Sequence, residues 1–333
     1  MDSTAVAAAH PNIALIKYWG NRDDSLRLPQ NNSISMTLAG LHTVTRVRFH
    51  DGLPSDAIVL HGRPATGEAR QRVVRHLDLV RQLAGLSARA EVRSANDFPT
   101  GAGLASSASA FAALTVAATH AAGLHLSTAD LSRLARRGSG SACRSILGGI
   151  VEWTAGLDDQ TSYAVPLAPA EHWPVVDVVA VVSTAEKDVG SSEGHRRAAS
   201  SPLQAARLRG VEARLAACRA AIHQRDFPAL ATVVEQDSDL MHAVMETSTP
   251  PLRYRLPSSL ALMSAVQGWR AAGWAVCYTL DAGPNVHCLC PAAQAPAVEQ
   301  RLMSMAGVLR VFSAAIGAEA RTLAESDPLT GLL

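Results

Sequence analysis

The chain has 333 residues, 48% of them hydrophobic, with 30 basic and 29 acidic side chains and a formal net charge of +1. That length suits one large domain or two ordinary ones, and the apolar share supports a full core and argues against disorder. The near-balance of charge speaks against a nucleic-acid or membrane-surface protein, which needs a basic excess.

Taken in order, residues 4–10 and 43–49 alternate as half-exposed strands do. Helical spacing over 67–83 puts Val73, Val74, Leu77, Val80 and Leu83 on one side. A strand is expected over 90–93, then a glycine-rich turn opening into a long apolar helix over 106–122. Ser127-Thr-Ala-Asp130 resembles a capping box and starts a helix ending near Arg137. A Gly/Ser turn and a short helix follow, with strands near 149–154 and 175–183. The stretch 184–202 reads as a polar loop, and a domain boundary is placed there, giving units 1–185 and 186–333. Beyond it come helices over 203–224, 227–245, 258–272 and 295–306, with strands over 274–280, 286–289 and 308–314. Segregated strands and helices imply an α+β fold of two layers.

The five cysteines are odd in number and show no disulfide framework, so a reducing cytoplasm is the simpler reading. His287, Cys288 and Cys290 admit a zinc reading, but the period of Val286, Cys288 and Cys290 fits one buried strand face. The first ten residues have no basic stretch or long apolar run, so no signal peptide is expected. No segment approaches a membrane span.

Four segments carry chemistry. Pro99-Thr-Gly-Ala-Gly-Leu-Ala-Ser-Ser-Ala-Ser109 places two glycines and two hydroxyls at a helix start, where free N–H groups and the helix dipole favour an anion. Arg136-Arg-Gly-Ser-Gly-Ser-Ala-Cys-Arg-Ser145 is a second such turn, and Arg144 can take a carboxylate or phosphate bidentately. Asp281-Ala-Gly-Pro-Asn285 puts a partly desolvated carboxylate after a buried-type strand, positioned to act on a proton; the same residues also suit an ordinary hairpin. Pro11-Asn-Ile-Ala-Leu-Ile-Lys-Tyr-Trp-Gly20 contains Lys17, one of only two lysines beside 28 arginines; Lys187, the other, precedes a Gly/Ser cluster. Lysine is a compact point charge where arginine is a wide fork, so a lysine retained in an arginine-rich chain is a candidate for a specific role.

Together, in order and spacing, these segments resemble the mevalonate diphosphate decarboxylases of the GHMP small-molecule kinase superfamily, over about residues 8–285. The resemblance implies a GHMP kinase fold: a ribosomal protein S5 domain 2-like N-terminal domain, a ferredoxin-like C-terminal domain, and a site in the cleft between them. It implies a cytoplasmic homodimer that uses ATP and Mg2+ and acts on a phosphorylated mevalonate, with no nucleic-acid or membrane partner. ATP would phosphorylate the tertiary 3-hydroxyl. The new phosphate would then leave as the carboxylate departs as CO2.

Carried over by position, Asp281 matches the catalytic aspartate, Arg144 the holder of the carboxylate, Asn12 the residue that orients it, and Lys17 a lysine beside the reacting groups. Tyr18, Arg72, Ser139, Gly140 and Ser141 match binders of the 5-phosphoryl end, with Trp19, Gly20, Asn21, Ala142, Cys143 and His195 in the same motifs. Gly101, Gly103, Ser106 and Ser107 match the ATP phosphate loop; Ser191 matches a serine near the transferred phosphate, and Lys187 shares its segment. No metal ligand is assigned.

Two departures bear on the substrate. The family's Lys-Tyr-Trp-Gly-Lys ends here in Asn21, where the second lysine contacts the substrate's diphosphate. The family's Gly-Met appears as Gly194-His195. Mevalonate 5-diphosphate, the family default, is the expected substrate; the lost cation makes mevalonate 5-phosphate its rival, and a 3-kinase without decarboxylation is a third reading. Arg22, or a protonated His195, is a candidate replacement for the missing charge.

Overall fold

The computed structural model describes residues 3–98, 106–185 and 188–333. In chain order the first part contains β1 (Ser3–Ala9), β2 (Asn12–Ile16), β3 (Asn21–Asp23), β4 (Leu28–Pro29), β5 (Ser33–Thr37), β6 (Thr43–His50), β7 (Ala57–Leu60), β8 (Arg63–Pro64), α1 (Gly67–Ala84), β9 (Arg89–Asn96), α2 (Ser106–Ala121), α3 (Thr128–Gly138), β10 (Ile150–Trp153), β11 (Ala164–Ala168) and β12 (Val175–Val181). It continues with α4 (Ser191–Arg197), α5 (Gln204–Arg209), α6 (Val211–Gln224), α7 (Phe227–Glu246), α8 (Pro257–Ala271), β13 (Cys277–Thr279), β14 (Val286–Pro291), α9 (Ala295–Met303), β15 (Arg310–Ala315) and β16 (Arg321–Leu323).

Strand β6 shows why the alternation was readable: Val47 and Phe49 are buried while Arg46, Arg48 and His50 face outward. It lies in a sheet ordered β16-β1-β6-β9-β7-β8. Helix α2 packs on that sheet; its alanines are small enough for close approach, and twelve of its sixteen residues are buried. Helix α3 starts as expected, with Ser127 Oγ accepting from Asp130 N at 3.2 Å.

The second sheet is ordered β11-β10-β5-β2 and the third β13-β14-β12-β15. Helices α6 and α7 fill the space between them: Leu215, Ile222, Leu230 and Val234 meet Ile13 and Ile34 on one side and Val179 and Leu289 on the other. The opposite face of the third sheet buries Val178, Val286, Cys288 and Cys290 against α8 and α9. His287 faces the other way, onto Asp177 at 2.6 Å, so it does not converge with the two cysteines.

Several expectations change. Strand β12 pairs with β14 and β15, so the sheets divide between Ala168 and Val175 rather than at 185. After β15 the chain returns, and β16 pairs antiparallel with β1. The helix expected over 203–224 breaks at Gly210, because Arg214 folds back and donates Nη2 to Arg207 O at 2.7 Å. A side chain at 210 would meet that guanidinium at 2.7 Å. The polar stretch after 185 contains helix α4.

Asp237 on α7 ties these layers together. Buried, it accepts the Lys17 backbone N–H at 2.6 Å and Arg214 Nε at 2.6 Å. Removing it orphans a buried guanidinium and a buried amide. Asp237→Ala is expected to cost about 3–5 kcal/mol of stability, read as a fall in the urea unfolding midpoint. Asp237→Leu with Arg214→Met should recover part of that loss.

Candidate active site

Strand β2 ends in the segment that carries Lys17, and β13 ends just before Asp281. Packing across α7 brings the two ends together. Lys17 Nζ donates to Asp281 Oδ1 at 2.7 Å and to Ala14 O at 2.8 Å. The lysine side chain is 1% exposed and the aspartate 24%, so the carboxylate faces the cleft while its partner is sealed. The Lys17 carbonyl accepts from Arg207 Nη2 at 2.7 Å and Asn31 Nδ2 at 3.0 Å. The Asp281 turn is fastened by Asn285, whose Oδ1 accepts from Val182 N at 2.8 Å.

Burial works to raise the Asp281 carboxyl, but the Lys17 charge, helped by His287 and Arg144, outweighs it and holds the group below its ordinary range. Burial pulls the Lys17 ammonium down, against the attraction of Asp281. His242, behind the pair on α7, is pushed to about 3 by burial and by the charges of Arg255 and Lys17, and adds no positive charge.

Arg144 is buried in the 3-10 turn Gly140–Ile146. Its partners are neutral oxygens: Asn12 Oδ1 at 3.1 and 3.2 Å, Ser35 Oγ at 3.0 Å and Ser33 Oγ at 2.7 Å. Asn12 is held in turn by donating to Ser145 Oγ at 2.7 Å and Ser141 O at 3.2 Å. Among the described residues no carboxylate pairs with Arg144. The guanidinium is thus positioned for an anion from outside the protein.

These groups line one cavity of about 570 Å³. Asn12 stands behind Arg144, outside the lining. Tyr18, Trp19, Arg72, Ser106, Ser107, Ser139, Gly140, Ser141, Ser191 and His195 also border the cavity. Gly20 and Asn21 lie beside it, while Ala142 and Cys143 are in the N-terminal core and do not reach it. Gly101, Gly103 and Lys187 lie outside the described residues. Gly140 is needed for space, since a Cβ there would sit 2.5 Å from the Tyr18 ring.

Asn21 accepts the Tyr18 hydroxyl and donates Nδ2 to Asp24 Oδ1 at 2.7 Å. Arg22 is exposed and bonds Ala155 O, away from the cavity. His195 stacks on Tyr18, with ring centroids 4.0 Å apart, and its Nδ1 accepts the Gly20 N–H at 3.0 Å. An amide only donates, so that nitrogen carries no proton and the ring is neutral. Neither expected replacement therefore supplies charge here.

Six charged residues of the lining form pairs: Lys17 with Asp281, Arg75 with Glu68 at 2.8 Å, and Arg196 with Glu193 at 2.6 Å. Three lining arginines, Arg27, Arg72 and Arg144, have no carboxylate partner among the described residues. Such a site draws a ligand with more than one anionic group. Sequence reasoning missed Ser33, Ser35 and Arg27. The polar alternation Ser33-Ile-Ser35 was an available signal for the first two; Arg27, one arginine among many, gave none. A second, mostly apolar cavity of about 170 Å³ shares Arg72, Ser106 and Ser107 with the first and is walled by Leu60, Val73, Val92, Phe111 and Leu114, with Ser94 and Asn96 at its edge.

Comparison with known proteins agrees with this geometry. Residues 9–164 match the family described as diphosphomevalonate decarboxylase-like N-terminal domain, and residues 177–324 the mevalonate 5-diphosphate decarboxylase C-terminal domain. The chain is 42% identical to the diphosphomevalonate decarboxylase of Aspergillus fumigatus, over 84% of this chain and 75% of that one. It is 40% identical to the human enzyme of that name, over 84% and 76%. The fold is similar to that of mevalonate diphosphate decarboxylase from Staphylococcus aureus, with TM-score 0.93, 40% identity, and 97% and 99% of the two chains covered. A further similar structure, a complex with MVAPP, AMPPCP and magnesium, has TM-score 0.92 and 39% identity over 97% and 99% of the chains.

Because its folded-state value is depressed, Asp281 keeps its charge until pH falls below the ordinary carboxylate range. Lys17→Met leaves burial unopposed by its nearest charge and raises that value. The acid limb of the pH–kcat profile should therefore move to higher pH in Lys17→Met; an unmoved limb would show that Lys17 does not set the charge of Asp281.

Proposed function

Since the chain belongs to the diphosphomevalonate decarboxylase family, we propose that it catalyses the ATP-dependent decarboxylation of mevalonate 5-diphosphate to isopentenyl diphosphate, ADP, phosphate and CO2. The observation that carries this reading is Arg144, a buried guanidinium with only neutral partners, in one cavity with the Lys17–Asp281 pair and the start of α2.

Asp281 accepts the hydrogen bond of the tertiary 3-hydroxyl, orients its oxygen toward the phosphoryl donor, and takes its proton as the new O–P bond forms and the bond to the ADP oxygen breaks. Lys17 keeps that carboxylate ionised and in place. A loose phosphoryl-transfer transition state asks little of a base, so a carboxylate of depressed pKa suffices. Arg144 holds the substrate carboxylate in line with the breaking C–C bond. When the 3-phosphate departs, the electrons of that bond close the new double bond and CO2 is released.

For ATP, the smaller apolar cavity fits a purine, and the start of α2 at Ser106 and Ser107 lies between it and Asp281's cavity. The described residues contain no cluster of three acidic, histidine or cysteine side chains able to hold a metal. Mg2+ would accompany the triphosphate. Its chemistry there is to neutralise charge on the transferred phosphoryl group.

The cytoplasmic homodimer implied by the resemblance remains part of this reading. All five cysteines are free and buried, as suits a reducing compartment, and no helix among the described residues is long and apolar enough to cross a membrane.

A second reading, mevalonate 5-phosphate as substrate, is favoured by one observation: position 21 has no charge, and its side chain is closed between Tyr18 and Asp24. Product analysis with ATP and each compound separates the two. The diphosphate should give the larger kcat/KM with stoichiometric CO2, and a reversed ratio selects the monophosphate. A 3-phosphorylated acid accumulating without CO2 would overturn both. Asp281→Asn should retain binding of a non-hydrolysable ATP analogue while kcat falls about 10²- to 10⁴-fold.

A further inference from the structure

In the family this chain resembles, a lysine at position 21 contacts the substrate's diphosphate; here the residue is Asn21, so that position supplies no cation. Another residue of the same hairpin supplies one. Arg27 sits in the turn between β3 and β4 with a left-handed backbone, φ 51°. The turn is locked from within, as Asp23 Oδ1 accepts Leu26 N at 2.9 Å and Ser25 Oγ at 2.7 Å. A left-handed backbone is costly for a residue with a side chain and persists where its surroundings impose it. Here it sends the arginine side chain into the cleft.

One edge of that guanidinium is anchored. Nε donates to Arg137 O at 3.1 Å, at the end of α3, and Nη1 reaches Ser192 Oγ at 3.5 Å, in the first turn of α4. Nη2 has no protein acceptor among the described residues. Arg72, from α1, borders the same two spaces: the main cavity and an adjoining cavity of about 440 Å³. Its Nη2 donates to Gly138 O at 3.0 Å and its guanidinium lies 4.8 Å from the Phe111 ring centroid, while Nε is buried with no partner. Burial pushes Arg72 down to about 10, and the largest charge adding to that push is Arg27. Two guanidiniums that repel each other and have donors to spare form a receptor for an anion, while Glu68, the nearby carboxylate of the same cavity, is paired with Arg75 at 2.8 Å. Ser139 and Ser141 border the same space.

The geometry points to Arg27 as a specificity-determining residue that, with Arg72, clasps the terminal phosphoryl group of the substrate and replaces the charge that position 21 lacks. This inference rests on the proposed reaction for its substrate. Its cation comes from the far side of the hairpin, so the phosphoryl group is held between β3–β4 and α1. Through Ser192 the clasp also touches α4, so the anion that orders Arg27 steadies the helix start beside the cavity.

The test compares wild type, Arg27→Ala, Arg27→Lys and the double variant Arg27→Ala with Asn21→Lys. Calorimetric titration with mevalonate 5-diphosphate should show affinity about ten- to hundredfold weaker in Arg27→Ala, an intermediate value in Arg27→Lys, and recovery in the double variant. KM for the phosphorylated substrate should rise while kcat and KM for ATP hold. Unchanged affinity in Arg27→Ala overturns the clasp. So does a loss shared by ATP and kcat that Asn21→Lys fails to relieve, because that pattern marks a structural support for α4. Titration with pyrophosphate, in the presence of AMPPCP, reads the clasp without the reaction. If wild type binds pyrophosphate through Arg27 yet decarboxylates neither compound, the clasp stands and the proposed reaction falls. If wild type decarboxylates and Arg27→Ala binds pyrophosphate equally well, the reaction stands and the clasp falls.

Discussion

The contact between Lys17 Nζ and Asp281 Oδ1 is the constraint on which the site depends. Its partners are 264 positions apart in the chain and come from different sheets. Lys17 is held on every side: its N–H by Asp237, its carbonyl by Arg207 and Asn31, its ammonium by Ala14 O. Only Asp281 retains a face toward solvent. The lysine therefore acts through the carboxylate, fixing its charge and its direction. A compact ammonium suits a space sealed this closely better than a wide guanidinium, in a chain with 28 arginines and one other lysine.

Around this neutral pair the remaining lining is unbalanced by design. Arg144 and Arg72 are expensive to bury, and the neutral oxygens and carbonyls around them offset only part of that cost. The arrangement makes sense as preorganisation: donors already aimed at where anions will sit need no rearrangement when the ligand arrives. Stability is recovered elsewhere, in the continuous apolar layers that sandwich α6 and α7 and in the buried pair of Asp237 with Arg214.

Much of this was legible in the sequence wherever periodicity or a motif exceeded the noise. The helices α1, α2 and α7 and the cap at Ser127 followed directly from apolar spacing and local hydrogen bonding. The motifs around Lys17, Arg144 and Asp281 do converge on one cavity. Strand β2 was harder, because all five of its residues are buried and no alternation marks it. The break at Gly210 depends on where Arg214 folds, a tertiary event. The return of β16 to β1 places Val6 against Leu323 across almost the whole chain, which no local pattern encodes. Arg27 is hidden for another reason: a left-handed arginine looks like any other in a sequence that contains 28 of them.

In the proposed reaction, the neutral cradle of Arg144 would also govern what happens after decarboxylation. A guanidinium paired permanently with a protein carboxylate would be indifferent to the loss of the substrate's acid group. Arg144 instead has Asn12, Ser33 and Ser35 to fall back on. Once the carboxylate has left as CO2, the alkene product offers it nothing to grip, and these oxygens satisfy the arginine without it. On the proposed reaction, the residue that recognises the substrate's acid group would cease to retain the product, whose remaining hold on the site would be its phosphoryl end.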